Sequence, residues 1–136
     1  MRSRTQHWYR VLLLGWLSLS VLVCGAQNLV PNGGFENFNQ CPNFVGQSSF
    51  ATGWLNPNSS SPDYFHGCNT CGGFGGADIC IPNNIFGSQL PHSGDAYAGM
   101  YCYWQGSQGL REYLQVPLLQ PLVGGSEYEV SYYVSL

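Results

Sequence analysis

Between residues 61 and 73 the chain reads SPDYFHGCNTCGG, which sets Asp63, His66, Cys68 and Cys71 within nine positions, with Cys80 shortly after. Three chemistries use these residue types. Thiolates and an imidazole in tetrahedral reach hold zinc, and the four ligands here would be His66, Cys68, Cys71 and Cys80. A CxxC pair cycles between dithiol and disulfide in redox proteins. In an oxidising compartment the same cysteines simply close loops. The spacing C-x2-C-x8-C lacks the second paired knuckle of a strong zinc signature, and no βαβ pattern surrounds the CxxC. The compartment therefore decides among them.

The N-terminus bears on the compartment. MRSRTQHWYR carries Arg2, Arg4 and Arg10, the apolar run VLLLGWLSLSVLV follows, and the small residues Gly25 and Ala26 precede Gln27. A basic start, an apolar middle and a small-residue exit predict a secretory signal peptide over 1–26. The apolar run is short for a bilayer span. Cys24 is preceded by Val23, where a lipobox has a small side chain. Residues 27–136 are then one secreted or cell-surface domain, not inserted in the membrane, in which thiols pair. Cys41, Cys68, Cys71, Cys80 and Cys102 remain, and the residues alone leave their connectivity open.

Charge narrows the partners. Beyond residue 26 Arg111 stands alone against seven acids, a formal charge of −6, and the chain has no lysine. Nothing in that segment would neutralise phosphates, so nucleic acid and anionic lipid are disfavoured. A hard cation such as calcium is compatible with the balance.

The elements that must position these residues read as short strands between turns. Charged residues are 8% of the chain and aromatics 15%, with abundant Gly, Asn, Ser and Pro, which speaks against both a helical protein and a disordered one. NLVPNGGFENF (28–38) predicts a short strand, a turn and a second apolar piece. FATGWL (50–55) predicts a strand that buries Trp54. AYAGMYCYW (96–104) alternates, with Tyr97, Tyr101 and Tyr103 on one face and Ala98, Met100, Cys102 and Trp104 on the other. REYLQVPL (111–118) is a further apolar piece. EYEVSYYVSL (127–136) alternates most cleanly and predicts a half-buried antiparallel strand. That strand reaches Leu136 with no turn signal behind it, so the sequence is expected to be the N-terminal part of a longer protein whose sandwich is incomplete here.

NLVPNGGFE (28–36), CPNF (41–44), ATGW (51–54), SPDYFHGC (61–68), IPNNIFGSQLPHSGDAYAGMY (81–101) and REYLQVPLLQPLVGGSEYEVSYYVSL (111–136) occur in that order. The series resembles the N-terminal secreted module of Bacteroidetes surface proteins, of the OmpA family or associated with type IX secretion and gliding motility. That module is similar to the galactose-binding-like jelly rolls of carbohydrate-binding modules, which open on a comparable Asn-Gly-Phe-Glu stretch. The resemblance implies an all-β fold, an antiparallel β-sandwich of jelly-roll type, followed by a further domain of the same polypeptide. It implies the bridge Cys41–Cys68, since CP and DYFHGC both belong to the resembled pattern. Cys71 and Cys80 bracket the Gly-rich piece GGFGGADI, an inserted loop closed by its own bridge. Cys102, on a strand face with Met100 and Trp104, is then expected to be a buried free thiol. The resemblance also implies a structural calcium with Glu36 as ligand, helped by Asp95.

No GxSxG, HExxH or Ser-His-Asp pattern stands out. Asp63 and Glu112 could be set against each other as a glycosidase pair, but any two acids of a small chain would pass that test. His66 and His92 fall in polar turns, where a solvated side chain is expected. The expectation is a non-catalytic recognition module for an extracellular glycan. Its aromatic platform and polar groups would come from Tyr101, Tyr103, Trp104, Gln105 and Tyr133. The rivals are a structural or adhesion module of an outer-membrane or gliding-associated protein, and a hydrolase fragment.

Overall fold

The computed structural model describes residues 27–72, 76–103 and 111–136. The predicted signal peptide, 1–26, lies outside the described residues, as do Trp104 and Gln105. Four short strands are present: β1 (Asp63–His66), β2 (Asn83–Asn84), β3 (Gly87–Ser88) and β4 (Ala96–Gly99). Two 3₁₀ turns, Ser48–Phe50 and Gly76–Ile79, complete the regular structure. β1 pairs with β4 and β2 with β3, both antiparallel. The expected all-β character is observed in these two small sheets, and no α-helix occurs among the described residues. A closed sandwich is not formed among them. Nor is any helix of the described residues long and apolar enough to cross a membrane.

β1 is the centre of the molecule, because all four of its residues are buried. Alternation sends Tyr64 and His66 to one face, and Asp63 and Phe65 to the other. On the first face Tyr64 is 0% exposed and packs with Ala51 and Ala96, ringed by Phe35, Phe50 and Trp54. Removing a side chain of this size from water contributes about 2–3 kcal/mol. The hydroxyl is not stranded, since Tyr64 Oη donates to the Phe35 carbonyl at 2.6 Å. Burial first, and the Glu36 carboxylate second, push the Tyr64 pKa up to about 12. On the second face Phe65 lies opposite Tyr97 of β4.

The 28–38 stretch docks on the first face, that of Tyr64, through Asn32. Asn32 adopts φ 49° in the turn over 31–34, a left-handed conformation that Asn tolerates. Its Oδ1 accepts from Asn37 N–H at 2.9 Å, and its Nδ2 donates to the carbonyls of Asn37 and Thr52. Its own carbonyl takes the Trp54 indole N–H at 2.9 Å. Trp54 is half-buried and stacks on Phe35 with centroids 4.6 Å apart. One amide side chain thus joins two segments twenty residues apart.

Several predicted strands are not strands. FATGWL forms the end of a 3₁₀ turn and two isolated bridges, Phe38 with Ala51 and Leu55 with Gln115. The second of these is all that REYLQVPL contributes to pairing. AYAGMYCYW keeps its strand only to Gly99. EYEVSYYVSL contains none, and its alternating residues lie in solvent, Val130 at 83% exposure and Tyr132 at 78%. Alternation marks a sequence fit for a half-buried sheet, but a strand exists only where a neighbour accepts its N–H groups and a layer covers one face. Among the described residues neither is placed against 127–136.

Two disulfides close the loops. Cys41 is bonded to Cys68 across a separation of 27, and Cys71 to Cys80 across 9. No thiolate of the opening cluster is left for zinc, and the two cysteines of the CxxC are each bonded elsewhere, so neither the metal nor the redox chemistry survives. Cys102 is free but exposed, which corrects the expectation of a buried thiol. The strand whose face was to bury it stops three residues earlier.

With so small a core, the longer staple carries a large share of the stability. Replacing Cys41 and Cys68 together by Ser is expected to cost about 2–4 kcal/mol. Urea unfolding followed by tryptophan fluorescence measures this, with the Cys71–Cys80 bridge left intact.

Candidate functional site

The site is built on the second face of β1. Phe65 and Tyr97 are cross-strand partners and their rings stack at 4.6 Å and 15°. The β2–β3 hairpin brings Phe86 edge-on to Phe65 at 6.1 Å. Phe86 in turn meets Tyr101 edge-on at 5.9 Å and 76°. The four rings run from the interior outward: Phe65 is buried, Tyr97 half-buried, and Phe86 and Tyr101 are 47% and 41% exposed. The two outer rings meet almost at right angles and form an open corner.

Local chemistry holds this corner in place. Asn84 Oδ1 accepts the Phe86 N–H at 2.9 Å, an Asx turn that fixes the hairpin tip. Asn84 Nδ2 donates to Tyr97 Oη at 2.9 Å, so one amide locks hairpin to sheet. The Tyr97 hydroxyl, accepting there, keeps its own proton to donate. Burial raises the Tyr97 pKa, and the Asn84 contact acts in the opposite sense. Gly99 lets the Phe65 ring lie across β4, since a Cβ there would sit 3.0 Å from Phe65 Cε2.

Two carboxylates lie behind the corner. Glu112, 8% exposed, accepts from Ser61 N–H at 3.1 Å, from Ser61 Oγ at 3.2 Å and from Tyr101 N–H at 2.8 Å. Its own N–H donates to the Tyr101 carbonyl at 2.9 Å. Asp63, on the Phe65 face of β1, accepts from Gly46 N–H at 2.6 Å. Burial raises the Asp63 pKa; the Gly46 bond lowers it and the charge of Glu112 raises it further. Asp63 and Glu112 are thus close enough to interact, yet each accepts backbone N–H groups that fix chain segments, Gly46 for Asp63 and Ser61 and Tyr101 for Glu112. The same holds for His66, which is 9% exposed rather than solvated. It ends β1, its ring edge meets Phe38, and its Nδ1 accepts the Cys68 N–H at 2.9 Å.

The remaining residues singled out by sequence scatter. Tyr101 belongs to the corner. Tyr103 is exposed beyond the end of β4. Tyr133 stands with His92, the two rings stacked at 3.4 Å. Glu36 and Asp95 do meet: both Glu36 carboxylate oxygens accept the Asp95 N–H at 3.1 Å. Gly94 makes room for that contact, with φ +66° and a hypothetical Cβ only 2.2 Å from Glu36 Oε1. The contact is made by the Asp95 backbone N–H and not by its carboxylate. No group of three or more His, Cys, Asp or Glu that could hold a metal occurs among the described residues.

Phe86, Phe65 and Asn84 are not singled out by the sequence. The signal that points to Phe86 is NNIFG, a turn whose tip carries two large apolar residues where turn chemistry favours polar ones.

Asp63 gives the site a pH signature. A raised pKa means that its contribution to folding is complete below its ordinary value of 3.8 and is lost as pH rises through the higher folded value. Relative to the Asp63→Asn variant, the wild type is expected to gain stability between pH 7 and pH 4. At pH 7 the variant, which keeps a carbonyl for Gly46, is expected to unfold at higher urea. Paired urea titrations across that range measure the difference.

Compared with known proteins, the chain matches no family model, no curated protein and no solved structure.

Proposed function

We propose that the chain is a secreted, non-catalytic β-sandwich module of jelly-roll type from a bacterial cell surface, and that it binds an extracellular glycan at the Phe86–Tyr101 corner. The observation that carries this is the corner itself. Two exposed rings at 76° are backed by the stacked pair of buried Phe65 and half-buried Tyr97, an apolar platform of the kind that packs against the faces of pyranose rings. The Tyr97 hydroxyl, which keeps a proton to donate, suits a sugar hydroxyl. The engagement of Asp63 and Glu112 with backbone amides supports binding over hydrolysis.

A structural or adhesion role is the second reading. What favours it is the run of exposed apolar side chains from Leu118 to Leu136, more than an isolated soluble surface usually carries. A glycan array discriminates the two. Binding is expected, with Phe86→Ala and Tyr101→Ala each lowering affinity about ten-fold, or about 1.4 kcal/mol. No binding to any glycan by the wild type would sink the carbohydrate reading.

A structural calcium at Glu36 and Asp95 is the finer part of the proposal, supported by the meeting of these two residues from segments 59 positions apart. Calcium at a hundredfold excess over its dissociation constant is expected to add about 2.7 kcal/mol of stability. EGTA should reverse the gain and Glu36→Gln should abolish it. A melting temperature indifferent to calcium removes the metal.

A further inference from the structure

We infer that the Phe86–Tyr101 corner selects a cationic glycan, one built from sugars with free amino groups, over neutral and acidic ones. This rests on the glycan reading above and concerns the charge of the ligand.

The corner is apolar in front and negative behind. Glu112 is buried and accepts the Tyr101 backbone N–H at 2.8 Å, so its carboxylate is held at the residue that carries the outer ring. All three groups in contact with the Glu112 carboxylate donate to it, the arrangement an acceptor-only carboxylate needs. Asp63 is buried on the same strand face as Phe65, the ring that supports Phe86. Among the described residues no Arg or Lys is paired with either acid. Arg111 is the only Arg or Lys beyond residue 10, and its side chain lies exposed in solvent.

Buried charges are screened less than exposed ones, so the two carboxylates project a negative potential through a low-dielectric layer into the corner. An ammonium group held over Phe86 or Tyr101 gains twice. It meets the negative face of the ring, and it meets the field of the acids behind. A uronate or sulfate loses on both counts. A charge difference of this kind is expected to alter affinity by roughly ten-fold in each direction.

The test uses the chain purified with both disulfides intact and three hexasaccharides: glucosamine, N-acetylglucosamine and galacturonate. Calorimetry at low and high salt gives the affinities. The glucosamine hexamer is expected to bind at least about ten-fold tighter than its N-acetylated counterpart, with galacturonate weakest and the gap narrowing as salt rises. Glu112→Gln should close most of the gap between glucosamine and galacturonate. Should that variant fail to fold by near-ultraviolet circular dichroism, Asp63→Asn should close it in part. A neutral or acidic hexamer that binds as tightly as the cationic one overturns the charge selection while leaving a glycan site standing. Binding of none of the three, together with a blank glycan array, overturns the glycan reading and this inference with it.

Discussion

A four-residue strand with no exposed face imposes the main constraint on this molecule. β1 has two aromatic and two titratable residues, all buried. Burying Asp63 and His66 without partners would cost several kcal/mol, more than so small a core can offset. Each is therefore satisfied by a specific backbone N–H, Gly46 for Asp63 and Cys68 for His66. These two amides lie in the segments that the Cys41–Cys68 bridge ties together. The disulfide and the buried polar groups thus fix the same piece of chain, one covalently and the other by desolvation.

Glu112 repeats the device at longer range. It gathers Ser61, at the entry to β1, and Tyr101, past the exit of β4. The strands themselves supply only a four-residue ladder. The Glu112 carboxylate extends the pairing beyond the Asp63–Gly99 end, where the backbone has stopped forming a sheet. Charge-assisted hydrogen bonds of this kind are worth about twice a neutral one. The acidic character of the chain is in this sense structural: three of its acids, Glu36, Asp63 and Glu112, accept backbone N–H groups, and among the described residues none forms an ion pair with Arg or Lys.

What was legible in the sequence follows from locality. The Pro-Asn-Gly-Gly turn and the local Cys71–Cys80 loop depend on residue type and near neighbours, and each is found where the residues point, whereas Trp54 is only half-buried and Cys102 is exposed. The strands from 50 onward are less legible, because pairing depends on a partner distant in sequence. EYEVSYYVSL has the strongest alternation and no strand, whereas DYFH, with no clean alternation, is the best-formed strand of all. The corner is less legible still. Phe65, Phe86 and Tyr101 meet only after β1, a hairpin and the end of β4 converge, and Asp63 and Glu112 are brought together across 49 positions. No local pattern encodes either meeting.

The ring ladder explains why an exposed corner can still be precise. A phenylalanine at a hairpin tip has two free torsions, and ordering it for a ligand costs on the order of 1 kcal/mol when it stands alone. Phe86 does not stand alone. Its backbone is pinned by Asn84, its inner edge rests on Phe65, and its outer edge meets Tyr101. Phe65 is itself clamped between Tyr97 and the bare backbone of Gly99. A side chain at position 99 would displace Phe65, and through it both outer rings, without touching the surface at all. The ordering of the corner is thus set by the end of β4 and by Glu112, which holds the Tyr101 backbone in place.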